Sequence, residues 1–394
     1  MNGHAFARAP RLNIDRILTD PRVRIIVCTG AGGVGKTTTA AALGLRGAES
    51  GRNVCVLTID PAKRLAQAMG LSSLDNTPRQ VPGVCAPDGS GSLFAMMLDM
   101  KRTFDEVVEA HADPERAQQI LGNPFYQALS SSFAGTQEYM AMEKLGQLHV
   151  RAEEEGTWDL IIVDTPPSRS ALDFLDAPAR LGSFLDGRFI RILTAPARGA
   201  GRGIGRLAAM GFGIFTGVLS KILGAQVLSD LGAFVAAIDT TFGGFRERAD
   251  ATYELLKDAG TSFVVVAAPE RDALREAAYF VERLRTDDMP LAGLVLNRMQ
   301  QVDDPQLTAE QAASGAQLLA EAADTSAGAG LTSALLSLHA QRMQLADQQL
   351  HLADRFAAAH PGVPVATVTA LAGDVHDLDG LREIGELIAD SANP

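Results

Sequence analysis

The sequence predicts an α/β protein: one doubly wound, mostly parallel sheet carrying an inserted α-helical subdomain. Short apolar runs rich in β-branched residues recur along the whole chain, at 24–30, 54–60, 159–164, 263–269, 291–297 and 363–371. Each is almost entirely apolar, as parallel strands covered on both faces must be. Helical patterns such as 38–50 and 272–285 separate most of them, and that alternation builds parallel sheets through crossover helices. Two long intervals, 101–150 and 176–255, carry no strand signal and are dominated by helix formers.

Taken in order, RIIVCTG and VCVLTID are the first two strands, LFAMMLD at 93–99 is a candidate further strand, and DLIIVD follows the first helical interval. After the second interval come FVVVAAP, LAGLVLN and VPVATVTAL. One sheet therefore draws strands from both ends of the chain, and residues 1–394 are expected to fold as a single domain with 101–150 and 176–255 inserted as one helical subdomain. The stretch 303–330, rich in Ala, Gln, Asp and Ser, reads as a solvated helix or partly ordered loop. A helix continues over 331–360, with Leu335, Leu338, Met343, Leu345, Leu350 and Leu352 as candidate packing residues.

Composition bounds the function. With 46% hydrophobic and 21% charged residues, a chain of 394 residues has ample apolar surface for a core. A net charge of −12 provides no basic field for phosphodiester backbones or anionic lipid, so no nucleic-acid partner is expected. Cys28, Cys55 and Cys85 are too scattered for a disulfide framework and form no C-x-x-C pair. The first twenty residues lack the apolar run of an export signal, and a cytoplasmic setting is the expectation. The most hydrophobic stretch, 207–228, is long enough to raise the membrane question, but Lys221 and its glycines and alanines favour a helix pair within the protein.

The chemistry is concentrated after the first strand. In TGAGGVGKTTT, Gly30, Gly35, Lys36 and Thr37 fill the pattern G-x-x-x-x-G-K-[ST] between an apolar strand and a helix beginning near Lys36. Glycines at these positions let backbone N–H groups wrap phosphate oxygens, the lysine reaches the β- and γ-phosphates, and the hydroxyl ligates magnesium. Gly30, Gly32, Gly33, Val34, Gly35, Lys36, Thr37 and Thr38 are accordingly the expected nucleotide contacts, with ATP and Mg²⁺ as ligands. Asp164, ending DLIIVD just before Thr165, Pro166 and Pro167, is the expected second magnesium group, read against a plain strand-end aspartate. Asp60 closes VCVLTID at the carboxyl edge of the sheet, where a carboxylate either orients an attacking water or caps the following helix.

The ordered set GGVGKTT, DPA, DTPP and LVLN resembles the ArsA/Get group of P-loop ATPases, which have a SIMIBI-like fold with a split helical insertion. The resemblance spans most of the chain. It implies an ATPase whose nucleotide state controls a dimer, with Lys36 and Asp60 as catalytic residues and Asp164 opening the second switch. It also implies that Asn297 reads the adenine edge with Pro269 and Glu270 near the base; the alternative for Asn297 is a strand-end turn residue.

The departures are informative too. Group members carry a further lysine early in the loop that crosses the dimer interface; that place is Ala31 here. An alanine cannot donate to phosphate oxygens, which implies a heterodimer with a paralogous, lysine-bearing ATPase subunit, or a homodimer in which Lys36 and Mg²⁺ suffice. The zinc clasp of the targeting factors needs paired C-x-x-C, so no zinc is expected, and Cys28 and Cys55 read as core residues. After DPA stand Lys63 and Arg64, and in the second switch Arg169, which read as solvated cations or as groups facing phosphate. Residues 212–228, with Phe212, Ile214, Phe215, Val218 and Leu219 among them, are apolar enough either to line a groove for a hydrophobic or membrane-protein client or to pack on Phe104, Val107, Leu121, Phe125 and Leu129. Two other readings stand beside client binding: an energising subunit of an anion or metalloid transporter, and a weakly catalytic regulatory subunit.

Overall fold

The structure is a computed structural model and describes residues 5–60, 64–123, 126–127, 136–166, 245–302, 304, 306–321 and 327–391. An eight-stranded sheet is assembled from β1 (Ile25–Gly30), β2 (Asn53–Thr58), β3 (Arg79–Gln80), β4 (Ser92–Met97), β5 (Leu160–Asp164), β6 (Thr261–Ala267), β7 (Leu291–Met299) and β8 (Val365–Thr369), in the order β3-β4-β2-β5-β1-β6-β7-β8. Every pairing is parallel except that of β3 with β4. All seven apolar runs are strands, while β3 has two exposed residues and no apolar signal to betray it.

The central strands are buried because helices cover both faces, which is why they read as unbroken apolar runs. One face carries α1 (Ile14–Thr19), α2 (Lys36–Glu49) and α11 (Leu378–Asp390); Ala40, Leu43 and Leu45 of α2 and Leu381, Ile384 and Ile388 of α11 join Ile26, Val56 and Ile162 in one apolar cluster. Helix α8 (Arg271–Thr286) is amphipathic and buries Leu274, Phe280, Val281 and Leu284. Chain order runs outward from β1 to β2 on one side and from β5 to β6 on the other. The loop after β1 therefore sits where the winding reverses, at the carboxyl edge of the sheet where such folds bind ligands.

The chain divides into two compact units, Met1–Met97 with Gly156–Ala171 and Leu256–Pro394, and Leu98–Glu155 with Leu172–Leu255. The described part of the second unit is helical, with α4 (Met100–His111), α5 (Pro114–Leu121), α6 (Thr136–Glu155) and most of α7 (Phe245–Lys257). Its interior carries ion pairs of Lys144 with Glu106 at 2.9 Å and Arg248 with Glu143 at 3.1 Å, and a Tyr126 hydroxyl donating to Asp105 at 2.7 Å. Phe104 and Val107 are buried there; residues 212–228, Phe125 and Leu129 lie outside the described residues, as do Lys63 and Arg169. No helix among the described residues is long and apolar enough to cross a membrane.

Within the Ala-rich stretch, α9 (Ala309–Glu321) is a largely exposed helix, the first of the two readings given for it, and it packs against α10 (Ala327–Ala359). The expected packing of the long helix is corrected. The leucines proposed to pack α10 instead face outward: Leu335 is 58% exposed, and Leu338, Leu345 and Leu350 are exposed with it, while Met343 and Leu352 are half-buried. Alanines carry the packing, Ala312 and Ala316 on α9 and Ala340, Ala346, Ala353 and Ala357 on α10, because small side chains let helices approach closely. The run 291–297 extends through Met299 because the pairing with β8 is irregular between Leu296 and Met299.

Candidate functional site

Residues 31–35 form a tight loop whose conformation glycine permits at the two critical places. Gly30 has φ 151°, and a Cβ there would overlap the Val266 carbonyl oxygen of β6. Gly35, the residue before α2, has φ 97°, and a Cβ would strike the Asn297 amide. Val34 is buried, Gly32 and Gly33 are exposed, and the helix opens at Lys36. The loop's amides thus approach the N-terminus of a fourteen-residue helix, where backbone donors and the helix dipole favour an anion.

Lys36 is 5% exposed, and its ammonium donates to the carbonyls of Gly30 at 2.9 Å and Ala31 at 2.8 Å. Burial lowers its pKa, opposed by the charges of Asp164 and Asp60. The fully buried Asp164 accepts from the Thr37 hydroxyl and from the Thr58 hydroxyl, both at 2.8 Å and both on Oδ2. Its Oδ1 is buried with no hydrogen-bond partner. Burial pushes the Asp164 carboxyl up to about 6, against the pull of the two hydroxyls and Lys36. An acceptor-only oxygen buried without a donor is costly unless a cation or water satisfies it. A hydroxyl and a carboxylate 2.8 Å apart, the latter with a spare oxygen, are hard ligands of the kind magnesium takes, so the residues fit that ion.

Asp60 lies two residues past β2, and its backbone N–H donates to Thr58 Oγ1 at 3.2 Å. The Ile59 amide donates to the Asp164 carbonyl at 3.0 Å, and both the amide and hydroxyl of Thr165 donate to the Cys28 carbonyl. These bonds tie the ends of β1, β2 and β5 together beneath the loop. Thr58 stands two residues ahead of Asp60 in sequence, but only the pairing of β2 with β5 brings it to Asp164.

A cavity of about 670 Å³ opens on this ensemble. Gly33, Gly35, Lys36, Thr37, Thr38, Asp60 and Thr165 line it, together with Gln67 and Ala68 of α3 (Arg64–Ala68), Arg298, Asp374, Val375 and His376, which sequence reasoning did not single out. Asp164 lies below it under Thr37. Asn297 is elsewhere: 8% exposed, it donates from Nδ2 to the Val34 carbonyl at 2.8 Å and accepts the Arg298 amide on Oδ1 at 3.0 Å. It braces the back of the phosphate loop. Pro269 is buried, and the exposed Glu270 precedes α8 without capping it through its side chain; neither lines the cavity.

A sequence model described as "Anion-transporting ATPase" matches residues 23–318. The chain is 26% identical over 288 residues to an ATPase GET3 from Podospora anserina, covering 73% of this chain and 76% of that protein. It is 25% identical over 291 residues to an ATPase get3 from Aspergillus terreus, with the same coverage of 73% and 76%. An ATPase GET3 from Malassezia globosa is 30% identical over 168 residues, 43% of this chain and 46% of that one. The family match runs from β1 and its phosphate loop into α9, and the protein belongs to the anion-transporting ATPase family and is an ATPase.

Proposed function

We propose that the chain binds MgATP at the loop 30–38 and hydrolyses it in the cytoplasm, with the nucleotide controlling a dimer. The observation that carries this reading is the buried Asp164 with one oxygen shared by two threonine hydroxyls and the other open, directly under the loop. The loop's amides and Lys36 hold the phosphates, Lys36 exchanging the carbonyls of Gly30 and Ala31 for phosphate oxygens. Thr37 and Asp164 hold magnesium, which when bound neutralises charge on the phosphates. Asp60, at the cavity wall, orients a water and accepts its proton. Changing Asp60 to Asn keeps shape and removes basicity, so phosphate release should fall by about 10²- to 10⁴-fold while ATP affinity is little changed. A variant at full turnover would favour the regulatory-subunit reading instead.

The Ala31 side chain is buried against the apolar core and offers phosphate no charge. This supports a partner subunit of related sequence that carries the crossing lysine, with a hydrophobic or membrane-protein client on the helical insertion. Mixing the purified chain with a lysine-bearing paralogue should raise turnover by at least tenfold over the two rates summed, since one well-placed cation can supply several orders of magnitude. Simple additivity would point to a self-sufficient homodimer.

A further inference from the structure

We propose that Arg298 is a nucleotide-binding residue whose guanidinium packs on the face of the base; this rests on the ATP-binding reading above. The sheet order sets the direction of the ligand. Asp164 ends β5 and Asp60 follows β2, both on one side of β1, whereas Arg298 belongs to β7, two strands away on the other side. A phosphate chain whose terminal group faces Asp60 therefore extends its base toward β7 and β8, where Arg298, Asp374 and His376 line the cavity.

The backbone is arranged to present this side chain. Arg298 has φ 65°, a left-handed conformation that non-glycine residues rarely adopt, and it sits where the pairing with β8 is irregular. Asn297 holds it there by accepting the Arg298 amide at 3.0 Å, while donating to Val34 of the phosphate loop at 2.8 Å. One side chain thus couples the position of Arg298 to the loop. Arg298 is exposed, and among the described residues no carboxylate pairs with its guanidinium. A planar, weakly hydrated cation of this kind stacks on aromatic faces, which a lysine ammonium does not do.

The test is calorimetric titration of the full chain with MgATP, ADP and inorganic tripolyphosphate. Arg298→Gly removes the side chain while accepting φ 65° without strain, so the backbone is kept. It should weaken ATP and ADP by the same factor, about five- to tenfold, and leave tripolyphosphate unchanged. Arg298→Lys should recover less than half of that loss. Equal weakening of tripolyphosphate would make Arg298 a phosphate contact and overturn the assignment, as would nucleotide binding by Arg298→Gly at wild-type strength. A wild-type chain that binds no nucleotide removes the ATP-binding reading, and this assignment with it.

Discussion

Replacing Lys36 with alanine is expected to lower ATP turnover by about a thousandfold, the scale on which a single pre-placed donor or cation acts in phosphoryl and acyl transfer. The expectation rests on position. The ammonium is buried among loop carbonyls with no carboxylate in hydrogen-bond contact, so its present partners are neutral and an arriving phosphate is the better acceptor. The fold should survive, because the lysine's own bonds go only to Gly30 and Ala31 of the same loop. Steady-state phosphate release measured beside a urea unfolding curve separates the two effects. Turnover within tenfold of wild type, in a folded variant, would show that the reaction does not run through this loop.

Gly30→Ala is expected to act on stability first. Its Cβ would overlap a backbone oxygen of β6, which cannot rotate away, and φ 151° is itself unfavourable for alanine. Strain of about 1–3 kcal/mol and steric overlap of similar size together take about 2–6 kcal/mol from a domain whose total stability is typically about 5–15 kcal/mol. Gly33→Ala is the control: its φ is 77°, yet nothing lies within 4 Å of the added carbon, so only the conformational part, about 1 kcal/mol, should be lost. Urea midpoints for the two variants measure the difference. Equal losses would mean that β6 moves aside at little cost, and that the close contact between loop and strand is not what sets the loop.

Much of this protein was legible in the linear order of residues. Strands such as IIVCTG and LIIVD are buried on both faces, so their burial prints directly into unbroken apolar runs, and the phosphate loop is local, its glycines and Lys36 within a few residues of one another. Asp60 and Asp164 stand out as candidates because they lie at strand ends, where the carboxyl edge of a parallel sheet gathers functional groups. Other features had no such local mark. The exposed leucines of α10 carry the same spacing as a packing face, and only the close seat of α9 decides that the alanines turn inward.

Sequence alone therefore determined the α/β class, the strand inventory save β3, and the loop that names the chemistry, because each depends on neighbours along the chain. Only the tertiary structure decided that Thr58 shares Asp164 with Thr37, that Asn297 braces Val34, and that Arg298 faces the same cavity as Lys36. Those meetings span 106, 263 and 262 residues along the chain. They are made by the register of parallel strands whose order in the sheet differs from their order in sequence.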